Sequence, residues 1–141
     1  MKPGSLTSRS PDDEPDPLHR LVRRWARAVN ERDSETVISY SHPEIDCYPL
    51  QIATVSGHYQ GHDGVRRWLD DMVASDIGHQ VDFVGIRTLP DGRIALFGRV
   101  CVEGKEISPY SLIATIRDDK VVGMRSYLSD EETMEHLKLL R

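Results

Sequence analysis

Residues 63–73, Asp-Gly-Val-Arg-Arg-Trp-Leu-Asp-Asp-Met-Val, set Val65, Trp68, Leu69, Met72 and Val73 at i, i+3, i+4, i+7 and i+8. That spacing makes one apolar face of a helix, and Asp63 is an N-cap residue type. A turn-rich lead-in, Gly57-His58-Tyr59-Gln60-Gly61-His62, precedes it, and residues 78–128 read entirely as strand. A short helix held between a glycine turn and a run of long strands has few ways to bury its face. The sheet that follows must fold over it.

The segment before this landmark supplies two more helices. Asp16-Pro17 opens the first, with Asp as N-cap and Pro at the first helical position, and Leu18, Leu21, Val22, Trp25, Ala28 and Val29 form its apolar stripe. Residues 30–32 end it. Asp33 caps a shorter helix that buries Val37, Ile38 and Tyr40, and His42-Pro43 is expected to stop it, because a residue before proline is pushed out of the helical region. Residues 45–50 read as a short strand containing Cys47 and Tyr48, followed by a loop over 51–56.

Four strands complete the domain: 78–89, 93–102, 106–117 and 121–128. Pro90-Asp91-Gly92, Glu103-Gly104-Lys105 and Asp118-Asp119-Lys120 turn the chain between them. Alternation turns Val81, Phe83 and Gly85 to one face of the first, and Ile94, Leu96, Gly98 and Val100 against Phe97, Arg99 and Cys101 in the second. Ser129-Asp130-Glu131-Glu132 is a capping box for a C-terminal helix carrying Met134 and Leu137. Residues 1–16, rich in Pro, Ser and Asp, are expected to be a disordered tail, and 17–141 a single domain. Helices first and strands after argue for the α+β class. The expected architecture is a cone: a strongly curved, mixed but largely antiparallel sheet wrapped around three helices of the N-terminal half, with a short C-terminal helix.

The net charge of −5 over 141 residues carries no basic stripe, so nucleic acid is not an expected partner. Arg20, Arg23, Arg24 and Arg27 share the polar side of the first helix and read as a solvated face. No apolar run approaches ~18 residues, so no membrane span is expected. No secretory h-region is present, and Cys47 and Cys101 lack metal or redox spacing; free thiols and a cytoplasmic location are expected. His58-x-x-x-His62-Asp63 has metal-binding residue types but lacks further ligands nearby, so neither a metal ion nor a cofactor is expected.

Three blocks carry a family resemblance: residues 21–30 (Leu-Val-Arg-Arg-Trp-Ala-Arg-Ala-Val-Asn), residues 59–65 (Tyr-Gln-Gly-His-Asp-Gly-Val) and residues 117–125 (Arg-Asp-Asp-Lys-Val-Val-Gly-Met-Arg), followed by Tyr127 and Asp130. Their order and spacing resemble the nuclear transport factor 2-like superfamily, in its SnoaL-like and ketosteroid isomerase-like branch, over about residues 17–139. The resemblance implies a curved sheet, a hydrophobic pocket and a homodimer formed through the sheet. It also implies where isomerase chemistry would sit, and there the chain departs. Trp25 stands at the family's tyrosine, Cys47 at the carboxylate base and Leu112 at the acidic hydrogen-bond donor, so steroid isomerisation is not supported. The epoxide hydrolase branch needs an Asp-Arg-Asp set, of which only Asp82 and Arg99 are available.

With these parities, Trp25, Cys47, Trp68, Met72, Phe83, Leu112 and Met124 are the expected ligand-binding wall, joined by Val81, Leu96, Val100 and Leu128. His79, Tyr48 and Tyr110 are the candidate catalytic groups: an imidazole that exchanges protons near neutral pH and two phenols. Two readings stay open. One is a pocket protein for a small, apolar, cyclic molecule, with acid–base chemistry as its reaction class if it is an enzyme. The other is a non-catalytic module that dimerises through an outer sheet face of Phe97, Arg99, Arg125 and Tyr127.

Overall fold

Asp16 accepts hydrogen bonds from the Leu18 and His19 amides at 2.8 and 3.2 Å and so starts α1, Pro17–Asn30. The computed structural model describes residues 13–50, 54, 56–75 and 77–128. Residues 1–12 of the expected tail, and the expected C-terminal helix with Met134 and Leu137, lie outside the described residues. Glu14 is described: its carboxylate accepts from Arg23 Nε at 2.7 Å, and both side chains are buried. Arg23 therefore does not belong to a solvated face. Its guanidinium is held in the protein because a carboxylate from before the helix reaches it, and Arg20 donates to the Glu14 carbonyl beside it.

Asp33 caps α2, Ser34–Ser39, whose Val37 is buried. The chain then enters β1, Ser41–Tyr48, directly. His42-Pro43 thus lies inside a strand and does not terminate the helix; Tyr40 is the C-cap. The strand tolerates Pro43 because pairing with its neighbour is interrupted between Ser41 and Asp46, so no ladder N–H is required of the proline. A two-residue strand, β2 (Tyr59–Gln60), leads into α3, Gly61–Ser75. Asp63 is in the first turn of α3, 3.6 Å from Arg66, and not its cap; its charge still complements the helix N-terminus there. Val65, Trp68, Leu69 and Met72 are buried as expected, whereas Val73 is 61% exposed, so the apolar stripe is narrower than the periodicity suggests.

The remaining strands are β3 (Gln80–Thr88), β4 (Ile94–Val102), β5 (Lys105–Arg117) and β6 (Lys120–Tyr127). The order across the sheet is β2-β1-β6-β5-β4-β3. All neighbours are antiparallel except β1 and β6, which run parallel. The sheet is curved and unclosed, an α+β arrangement with three described helices. Each of the four longer pairings contains a register shift; such bulges bend and twist a sheet. At the shift between Phe83 and Gly85 the inward parity of β3 changes, so Val81, Phe83 and Ile86 meet the main core. On β6, Val121 and Met124 both face it for the same reason. Gly98 marks the tightest approach: a Cβ there would lie 2.1 Å from the Asp82 carbonyl oxygen.

The main core joins α1, α2 and α3 to the concave face of the sheet through Val22, Trp25, Trp68, Leu96, Leu112 and Val121 among others. Full burial of each large side chain contributes roughly 1.5–3 kcal/mol. A smaller cluster of Leu89, Ala95 and Ile113, with Phe97 and Tyr127 against it, lies on the other face. Asn30, at the end of α1, pins the outermost strand: its side chain donates to the Val81 carbonyl at 2.7 Å and accepts from the Val81 amide at 3.0 Å. This satisfies backbone groups that an edge strand would leave open. No described helix is long and apolar enough to cross a membrane.

Candidate functional site

The helices and the concave sheet face leave between them a cavity of about 470 Å³, counting its open mouth. It is a narrow crevice: only a few waters' worth of it is wide enough to admit a water molecule. Trp25 and Trp68 form one wall, with ring centroids 5.9 Å apart and planes inclined by 30°. Phe83 and Tyr110 form the opposite wall edge-to-face at 6.0 Å. Met72, Val81, Leu112 and Met124 fill between. Helical periodicity placed the indoles and Met72 here; strand alternation placed the rest.

Nine expected residues line this cavity: Trp25, Trp68, Met72, Val81, Phe83, Tyr110, Leu112, Met124 and His79. Others do not. Cys47 is fully buried in the core and does not line the cavity; burial, then the neighbouring Asp46 carboxylate, push its thiol pKa far up, so it is no nucleophile. Leu96 and Val100 fill the core beside the cavity without lining it, and Leu128 is exposed. Tyr48 is a correction of face. Adjacent strand residues point to opposite sides, and with Cys47 inward Tyr48 turns to the outer surface. There it stacks on His58 at 4.3 Å and carries the Arg125 guanidinium 4.1 Å above its ring.

The polar groups of the cavity are few. Trp68 is 3% exposed, and its indole N–H has no acceptor among the described residues. His79 Nδ1 is likewise buried without a partner among the described residues. Tyr110 and Ser126 close on each other through a 2.6 Å hydroxyl contact. Trp25 is different: its N–H donates to Ser41 Oγ at 2.9 Å, and that hydroxyl donates to the Val37 carbonyl at 2.7 Å. Buried polar atoms in folded proteins are overwhelmingly paired, so Trp68 Nε1 and His79 Nδ1 are the exceptions at this cavity that need a reason.

Desolvation, helped by the nearby Arg32 charge, lowers the His79 pKa below its ordinary value and so favours the neutral imidazole. Tyr110 is pushed up to about 12 by burial, against a smaller opposing effect of its bond to Ser126; it remains a proton donor. Arg32 was not recognised as a site residue in the sequence. It lies just past α1 in the left-handed region at φ 57°. Its guanidinium donates to the carbonyls of Val29 at 3.1 Å, Asn30 at 3.4 Å and His79 at 2.7 Å, and it lines the cavity. Its own pKa is lowered by burial. No carboxylate is among the described lining residues.

The histidine pair of the lead-in is engaged elsewhere. His58 meets Asp46 at 2.8 Å on the outer face, and His62 Nε2 lies 2.9 Å from the Ser41 carbonyl. Arg99 and Arg125 are on the outer face too; Arg99 pairs with Glu106 at 3.0 Å. Asp82 and Arg99 face one another across β3 and β4 in register.

No protein-family model matches the sequence, and no curated protein is significantly similar to it. Solved structures are similar in fold. One is TerC co-crystallised with polyporic acid, at 20% identity and TM-score 0.67, covering 87% of this chain and 99% of that one. Another is an NTF2-like protein of unknown function from Burkholderia pseudomallei, at 16% identity and TM-score 0.65, covering 85% and 96%. A third is a putative polyketide cyclase from Sinorhizobium meliloti, at 15% identity and TM-score 0.62, covering 83% and 98%. At these identities the likeness establishes the fold: this chain has the NTF2-like α+β cone that its sequence blocks resemble.

Proposed function

We propose that this chain is a SnoaL-like pocket protein that binds a small, flat, largely apolar molecule between Trp68 and Phe83. The unpaired indole N–H of Trp68 at an aromatic-walled cavity carries the reading. A buried donor without an acceptor costs ~1–3 kcal/mol, and a ligand oxygen would relieve that cost. Few polar groups in an apolar lining is the usual composition of a small-molecule site. The narrowness of the crevice implies that the side chains separate on binding. Where chemistry follows, neutral His79 is the group able to take or return a proton, and protonated Tyr110 the group able to donate a hydrogen bond. Neighbours of the same fold include a putative cyclase and a protein crystallised with an organic acid, and both support this class of ligand. Cys47 and Cys101 are free thiols, which suits a proposed cytoplasmic setting.

A thermal-shift screen of one- to three-ring lipophilic compounds, neutral and acidic, tests the reading. A compound at 100 times its Kd is expected to add about 2.7 kcal/mol of stability. In Trp68→Phe, loss of one hydrogen bond is expected to weaken that compound by roughly 1 kcal/mol, about fivefold. A screen in which nothing stabilises the protein would end this reading.

The second reading, self-association through the outer sheet face, is favoured by one observation. Phe97 and Tyr127 lie on that face in register with the buried Ser111 between them, and Arg125 lies over Tyr48 beside it. Arg99→Glu combined with Arg125→Glu is expected to lower the mass measured by light scattering to that of one chain. A mass unchanged from wild type would remove this face from consideration.

A further inference from the structure

The cavity holds more positive than negative character, and this decides what kind of molecule suits it. Arg32 makes no ion pair among the described residues. Its three hydrogen bonds all go to neutral carbonyls. A guanidinium has five N–H donors, so two remain without an acceptor among the described residues. Two buried atoms without a partner among the described residues, Trp68 Nε1 and His79 Nδ1, line the same cavity. The hydroxyls of Tyr110 and Ser126 share one hydrogen bond, and neither accepts from Arg32 or Trp68 among the described residues.

We infer that the cavity takes its ligand as an anion, a flat ring compound whose ionised oxygen acid (a carboxylate, or an enol acidic enough to ionise at neutral pH) meets Arg32 while its ring lies against Trp68. This inference rests on the pocket reading above and adds the charge of the ligand to it. Arg32 is held by α1 and by the His79 carbonyl, so its fork is ordered before the ligand arrives. A planar fork of this kind matches the two oxygens of a carboxylate. Partial burial of the guanidinium, which lowers its pKa, adds to the demand for a counter-charge. The apolar lining beside the partly buried guanidinium would strengthen such a pair relative to one in open water.

Isosteric pairs that differ only in charge test the inference: benzoate against benzamide, and 2-naphthoate against 2-naphthamide, titrated at pH 7.5 by change in tryptophan fluorescence. The anion of a pair is expected to bind at least about tenfold more tightly, the scale of one charge-assisted hydrogen bond. Arg32→Gln is expected to bring the two members of the pair together. Arg66→Gln, a substitution on an exposed arginine paired with Glu35 and Asp63, is expected to keep the preference. Because Arg32 also ties the end of α1, Arg32→Gln is first checked for native near-ultraviolet dichroism; the wild-type pairs alone decide the matter if it fails to fold. Equal affinity within the wild-type pairs, or an anion preference that survives Arg32→Gln in a folded protein, overturns the inference and leaves the pocket reading intact. No binding by any of the four probes, together with a blank thermal-shift screen, overturns both.

Discussion

Trp25→Ala is expected to cost about 4 kcal/mol of folding stability, within the 3–5 kcal/mol typical of removing a buried aromatic side chain. Trp25 has no exposed surface, packs against Trp68, and ties α1 to the start of β1 through Ser41. Its loss removes the indole's contacts and leaves a void that merges with the existing cavity. The Ser41 hydroxyl keeps its bond to the Val37 carbonyl but loses its donor. A urea melt followed by far-ultraviolet dichroism measures the effect. A loss below about 1 kcal/mol would mean that the indole faces solvent-filled space and adds little packing.

Gly98→Ala is the second large effect, roughly 3 kcal/mol, at the upper end of what overpacking usually costs. The added Cβ would meet the Asp82 carbonyl oxygen at 2.1 Å and the Phe83 Cα at 2.9 Å. Both are backbone atoms of β3, which cannot swing aside as a side-chain tip can. The strand would have to shift where it changes parity, taking the Phe83 wall of the cavity with it. Gly85→Ala is the matched control: among the described residues, no atom beyond Gly85 and its two chain neighbours lies within 4 Å of its Cβ position, and its stability is expected to stay within about 0.5 kcal/mol of wild type. Equal melts for the two variants would show that β3 yields easily at Gly98.

The cavity wall was legible from period alone. Trp25, Trp68 and Met72 follow helical spacing, and Leu112, Val81 and Phe83 follow strand alternation, because both periods report the side that faces the core. Errors arose where a local rule met a competing one. Pro43 reads as a helix stop, yet it lies inside β1 where the ladder is interrupted. Cys47 reads as wall and Tyr48 as a catalytic group of the same site, although neighbours on one strand cannot share a face. Asp63 reads as a cap, but the helix had already begun at Gly61. Arg32 carried no signal of its site role: an arginine between Glu31 and Asp33 reads as surface charge. Only the left-handed turn after α1 aims it back toward the His79 backbone. Arg23 is the converse, a residue whose partner lies outside its helix and so leaves no mark in the helical pattern.

The parallel seam between β1 and β6 has a consequence for how the molecule is built in time. The meander from β3 to β6 grows by hairpins between near neighbours in sequence, which close quickly. The seam joins strands from opposite ends of the domain, and its loop-closure cost is expected to make it a late step in folding. Trp25 is supplied from before that seam, and Met124 and Ser126 from its far side. The cavity therefore comes into being only when the last strand docks. A ligand bridging these walls would hold the seam shut and lengthen the lifetime of the native state, with little effect on the rate of reaching it.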